Sequence, residues 1–239
     1  MKRLLTFLFV FMSAIVLASC VEDEDIHKKS EGVLTYEEYV NAPLDSEVVI
    51  ETFIQAKQSW WEDKGTFYTM DKDGGYFLYN MACSKEDYNK LTVGTKIKVT
   101  GKKTAWAGEV EIIDATWEIE KGRYVADAID LTDKLGSDLI AYQNRLATFK
   151  GLTVVAADEE GNAFMYNWNG TGKQGDDIYY KVSYNGNVYT FVVESYLCDK
   201  NTATYKAVEG LKVGDVIDVE CFVYWYEGIQ PHTVKVTVR

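Results

Sequence analysis

Residues 91–108, LTVGTKIKVTGKKTAWAG, return without a gap as residues 211–228, LKVGDVIDVECFVYWYEG. At a constant offset of 120, Leu91 matches Leu211, Val93 matches Val213, Gly94 matches Gly214, Ile97 matches Ile217, Val99 matches Val219 and Gly108 matches Gly228. Each copy reads as a turn with glycine at its tip, a strand whose apolar residues alternate to one side, and a second glycine turn. A unit of this kind that occurs twice constrains the chain to two similar small β-domains in tandem. The aromatic content, seventeen tyrosines, ten phenylalanines and six tryptophans beside only two prolines, fits strands rather than helices.

The N-terminus has a different character. Lys2 and Arg3 precede an apolar run over residues 4–17 that only Thr6 and Ser13 interrupt, which reads as a signal peptide over residues 1–19. The run closes on Leu17-Ala18-Ser19-Cys20, which resembles the bacterial lipobox. That resemblance implies cleavage before Cys20, lipid on its thiol, and a protein tethered to a bacterial membrane on the extracytoplasmic side, expected at the cell surface. Residues 20–33, with Val21-Glu22-Asp23-Glu24-Asp25 first, read as an acidic linker. The whole chain has net charge -12, and loss of Lys2 and Arg3 makes it -14. With Cys20 committed to lipid, Cys83, Cys198 and Cys221 remain and are read as buried thiols.

About 220 residues follow the signal, room for two barrels over 34–122 and 123–239. Thr35-Tyr36-Glu37-Glu38 predicts a capping box and a short helix with Tyr36, Tyr39 and Val40 on one face, stopped by Pro43. Strands are predicted over 47–58, 66–70, 76–81, 96–102 and 109–119, with Asp71-Lys72-Asp73-Gly74-Gly75 as a hairpin turn rather than a calcium loop and a short helix capped by Ser84 and Asp87. In the second copy Leu131, Leu135 and Leu139 predict a helix, followed by a strand over 146–155 and a long loop over 157–175. A hairpin turning at Asn185-Gly186, a short helix led by Asp199, and strands over 216–224 and 233–239 complete it.

The order strand, strand, strand, short helix, strand, strand resembles the OB-fold in both copies, so the expected class is all-β with short helices: two tandem OB-like five-stranded β-barrels. Through YEEY, LDSEVVIE, QAKQSWW, YNMACS, GTKIKVTG and VEGLKVGD the chain is also similar to a group of uncharacterised bacterial lipoproteins with tandem OB-like domains. That resemblance implies an anchor and two barrels and carries no assigned activity.

No catalytic residue, metal site or cofactor is expected. Only His27 and His232 are present, Walker, G-x-S-x-G and GxGxxG patterns are missing, and Asp176-Asp177 reads as a solvated loop pair. Lys96, Lys98, Lys102 and Lys103 give the first copy a basic strip that the second replaces with Val216, Asp218, Phe222 and Val223. With an acidic body this places nucleic acid low among the candidate partners. In an OB-like barrel the loops after strands one and four flank the ligand face, and they carry Trp60, Trp61 and Trp106 in the first copy and Trp168, Tyr224, Trp225 and Tyr226 in the second. These seven are the candidate ligand-binding residues, or else they close the barrel ends. The expected function is a non-enzymatic, lipid-anchored binding or adhesion protein with a glycan or peptide ligand. The alternative is a structural spacer or assembly component of the cell envelope, with a hydrolase further behind.

Overall fold

The computed structural model describes residues 25–137 and 139–239. Residues 1–19, expected to be a signal peptide, and Cys20, expected to carry lipid, lie outside the described residues.

The first copy opens with helix α1 (Tyr36–Asn41) and continues through β1 (Glu47–Lys57), β2 (Lys64–Met70), β3 (Gly75–Ala82), α2 (Lys85–Lys90), β4 (Thr95–Trp106) and β5 (Glu109–Arg123). A two-residue strand β6 (Ile129–Asp130) leads to the second copy. That copy holds β7 (Leu146–Val155), β8 (Phe164–Tyr166), β9 (Ile178–Tyr184), β10 (Asn187–Val193), α3 (Ala203–Glu209), β11 (Val216–Phe222) and β12 (His232–Val238).

In the first copy the strands pair in the closed ring β1-β2-β3-β5-β4. In the second the order β7-β11-β12-β10-β9 is closed by β7 pairing with β9, which leaves β6 and β8 as flanking additions. The circuits are the same, and each contains one parallel pair at the same place, β3 with β5 and β10 with β12. Two tandem five-stranded barrels with OB-like connectivity are therefore established by the pairing itself.

The repeated motif acts identically in both copies. Gly94 and Gly214 adopt left-handed backbone, with φ of 89° and 97°, a conformation that needs no Cβ. Each glycine N–H donates back to the first strand of its own barrel, to Ile54 O at 2.7 Å and to Val154 O at 2.9 Å. This fixes where β4 and β11 start, so Ile97 and Val99 in one barrel and Ile217 and Val219 in the other all point into the core. Cys83, Cys198 and Cys221 are free and buried.

Local chemistry explains where the elements differ from expectation. Thr35 and Glu38 form the full capping box of α1, but only Tyr39 of its predicted apolar face is buried and Val40 is exposed. Leu131, Leu135 and Leu139 are all buried, yet they flank two 3-10 turns, Thr132–Lys134 and Ile140–Tyr142, because Gly136 between the turns sits at φ 94° and interrupts any helix. Helix α3 is capped by Thr202, not Asp199, which instead holds the preceding turn by accepting from Asn201 N. The loop over 157–175 contains β8, paired with β9. Strands β4 and β5 run further than expected and meet at Ala107-Gly108, both at positive φ, as the twist of a two-residue hairpin demands.

Residues 25–33, expected to be linker, lie on the first barrel. His27 packs edge-on to Tyr124 at 4.5 Å, Val33 is buried, and Lys29 Nζ reaches Asp71 Oδ2 at 2.6 Å. Asp71 also accepts from Asp73 N, Gly74 N and the Tyr76 hydroxyl, so this turn carboxylate is consumed by its own hairpin. The basic strip is dismantled in the same way. Lys96 is buried against Glu51 at 2.8 Å, Lys102 pairs with Asp45, and Lys103 is buried with its ammonium on the carbonyls of Tyr39, Val40 and Ala42 at the end of α1.

Candidate functional site

The two barrels dock on each other through an aromatic seam. Tyr68 stacks on Phe222 at 4.5 Å and packs on Phe77, forming a small core that belongs to neither barrel alone. The Tyr68 hydroxyl and His232 Nδ1 share a hydrogen bond of 2.6 Å, and Tyr224 stacks on the His232 ring at 3.9 Å. Burial depresses His232 to about 3, so its imidazole is neutral at ordinary pH. Close approach is possible because β3 begins with Gly75, where a Cβ would stand 2.3 Å from the Asn144 backbone carbonyl.

Polar groups lock the same seam. Asn144 N donates to Val223 O at 2.8 Å and Asn144 Nδ2 to Val110 O at 3.1 Å. The fully buried Glu109 accepts at Oε2 from Trp225 N at 2.9 Å and from Gln143 Nε2 at 3.2 Å. Burial raises its carboxyl to about 8, so it keeps its proton at neutral pH. Glu109 Oε1 and Asn144 Oδ1 are both buried without a hydrogen-bond partner, and a protonated carboxyl carries a donor of its own.

Beside the seam two cavities of about 400 and about 610 Å³ share Glu194, Tyr224 and His232 and make one cleft between the barrels. The smaller is lined from the first barrel by Trp61, Lys64, Phe77 and Tyr79, with Tyr196 opposite. The larger carries Trp106 on one side and Trp168, Tyr179 and Tyr226 on the other, with Asp177 and Glu227. Trp106 and Tyr226 come from the matching hairpins of the two copies and meet at 5.2 Å between ring centroids. The walls are exposed: Trp61 by 62%, Trp106 by 56%, Trp168 by 69% and Tyr226 by 42%. Glu194 accepts from Tyr196 N and Leu197 N, while burial and the neighbouring Asp177 charge push its carboxyl up to about 7.

Of the seven candidate residues, Trp61, Trp106, Trp168, Tyr224 and Tyr226 line this cleft. The other two do not. Trp60 turns to the first barrel, its indole N–H donating to Cys83 O at 2.9 Å with Lys85 over its ring, and Trp225 packs against the second core and fills the space left by Gly108. Glu194, Tyr179, Tyr196 and His232 were absent from the sequence-derived set. A continuous apolar run ending in a carboxylate, FVVE at 191–194, was the one local sign of Glu194. Among the described residues no group of three His, Cys, Asp or Glu side chains is placed to hold a metal ion.

No family model matches the sequence, and no curated protein matches it. Solved structures similar to the chain include a murine DNA-binding protein bound with double-stranded DNA, at 12% identity and a TM-score of 0.37 over 80% of this chain and 96% of that one. The Ifi202 HINa domain in complex with a 20-bp double-stranded DNA is another, at 10% identity and 0.35 over 81% and 98%. The tetrameric p202 HIN2 follows at 11% identity and 0.35 over 82% and 96%. Two of these proteins were solved on duplex DNA, and the ranking that set nucleic acid low as a partner of this chain and put a glycan or peptide ligand first is withdrawn. Net acidity of a whole chain does not describe each of its surfaces, so it was too coarse a ground for that ranking.

Proposed function

We propose that the two barrels act as one non-catalytic binding unit whose site is the cleft between them. The observation that carries this is the set of exposed rings drawn from both repeats, Trp61, Trp106, Trp168 and Tyr226, around a single concavity backed by a rigid seam. Large apolar side chains left in water at one place favour a partner that covers them. A non-catalytic role is supported by His232, whose imidazole is engaged by Tyr68 and Tyr224, and by the absence from the sequence of a recognisable nucleophile motif. The signal-like run and Cys20 support attachment to the extracytoplasmic side of a bacterial membrane, and the resemblance to bacterial lipoproteins belongs with that reading. Cys20→Ser should release the protein into the soluble fraction; a variant that stays membrane-bound with unchanged mass refutes the anchor.

The cleft itself is tested by indole fluorescence with a panel in which duplex DNA stands beside small organic ligands. Trp106→Leu and Trp168→Leu should each weaken binding of whatever the protein retains by about 1 to 3 kcal/mol while leaving the melting temperature unchanged. A ligand held equally well by both variants lies elsewhere on the molecule. Duplex DNA bound with a steep salt dependence and no loss in either variant would give that outcome.

A further inference from the structure

The chemistry of the larger cavity narrows what it can hold, provided the cleft is the binding site as argued above. Five aromatic rings, Trp106, Trp168, Tyr179, Tyr224 and Tyr226, stand around it. Its charged lining is Asp177, Glu194 and Glu227, with neither lysine nor arginine in the wall, whereas the smaller cavity includes Lys64. An aromatic face presents negative charge density, so rings and carboxylates here act with the same sign. We propose that this cavity takes a small organic ammonium, a quaternary or protonated amine, seated against the aromatic faces with Glu194 and Asp177 as its counter-charges.

The carboxylates are built in rather than scattered. Glu194 is fixed by the backbone N–H groups of Tyr196 at 3.3 Å and Leu197 at 2.8 Å, and Asp177 by Ser195 N at 2.8 Å, so one turn after β10 holds both. Each oxygen retains acceptor capacity beyond that single bond. Two carboxyl groups this close repel when both are ionised, and a cation between them relieves the repulsion. The groups facing Glu194 are Asp177, Tyr179, Tyr224, Tyr68, Cys198 and the neutral His232. None of these supplies positive charge, and Lys64, in the wall of the smaller cavity that Glu194 also lines, is the one cation among the residues lining the cleft. An arriving ammonium therefore favours loss of the Glu194 proton, and its affinity should rise as pH increases through about 7.

The test uses the full chain with choline and its uncharged carbon isostere, 3,3-dimethylbutanol, followed by calorimetry. Choline should bind at least about tenfold more tightly than the isostere, by the scale of a desolvated cation–π site. Its affinity should increase from about pH 6 to about pH 8, and Glu194→Gln should weaken it about tenfold and flatten that dependence. Should Glu194→Gln fail to fold, Trp168→Leu carries the test, since its indole is largely exposed. Equal affinity for choline and the isostere, with both weakened by Trp106→Leu, removes the ammonium preference and leaves the cleft standing. No choline binding at about 10 mM overturns the proposal. Choline binding indifferent to Trp106→Leu and Trp168→Leu overturns both the proposal and the cleft.

Discussion

Ile97 and Ile217 show how a single residue position carries the repeat. Both are fully buried, each on the strand that follows a left-handed glycine turn, and each pairs across to the first strand of its barrel, with Thr52 and Leu152. Ile97→Ala and Ile217→Ala should each cost about 2 to 5 kcal/mol, the loss of transfer energy plus a cavity that a closed barrel cannot collapse. Denaturant melts of the two variants check this, and a cost near zero at either position would mean the motif does not set the inward face. The lysines illustrate the reverse. Lys96 and Lys103 share charge and sequence neighbourhood with Lys98 and Lys102, yet each of the former pair is withdrawn into a specific buried contact. Charge counted along a strand says little about charge at the surface when an ion pair or a helix end stands over it.

At the scale of elements, the features legible in the sequence were those fixed by neighbours in the chain. The alternation and glycine turns located β1, β4, β7 and β11, the Thr35 capping box located α1, and Asn185-Gly186 located a hairpin, because a few adjacent dihedrals decide each. The three leucines of the second copy failed for the same reason: their spacing fits a helix, but Gly136 is the residue that decides the backbone there. The cleft was only half legible. Exposed rings could be expected in barrel loops, but Glu194, Tyr179 and His232 meet Trp168, Tyr224 and Tyr226 through the closure of the second barrel and Trp106 through docking of the first, and no local period encodes either. Trp225, four residues beyond Cys221 on the same hairpin arm as Tyr226, faces the core because alternation along that arm sends neighbours to opposite sides. Gly75 is the element on which docking turns. Gly75→Ala should leave both barrels folded while loosening their seam, because its Cβ would meet the Asn144 and Arg145 backbone rather than a movable side chain. Small-angle scattering and amide exchange at Asn144 check it, and an unchanged seam would mean the backbone there yields.

For the whole molecule, the groups buried between the barrels tie stability to pH, and the signs separate them. Glu109 holds its proton in the fold up to about pH 8, whereas an unfolded glutamate releases it near 4.3. The folded state therefore binds more protons between those values, and stability is fully present below about 4.3 and is lost as pH rises through about 8. Glu194 acts in the same direction up to about 7. His232 opposes both. Its folded value of about 3 lies below the unfolded value of about 6.5, so the unfolded chain binds more protons in that interval and stability rises with pH across it. Summed over these three groups, stability rises with pH from about 3 to about 4.3 and falls above it, because between about 4.3 and about 6.5 the two glutamates outweigh the one histidine. Glu109→Gln isolates the largest alkaline contribution, since the amide carbonyl can still accept from Trp225 N and its NH₂ carries no titrating proton. Thermal melts from about pH 6 to about pH 9 should show the parent losing a few kcal/mol and the variant losing much less, so that the variant is the more stable of the two at the alkaline end. Parallel slopes in parent and variant would show that Glu109 is already ionised within the seam, and would leave its buried oxygen to be satisfied by some donor other than its own proton.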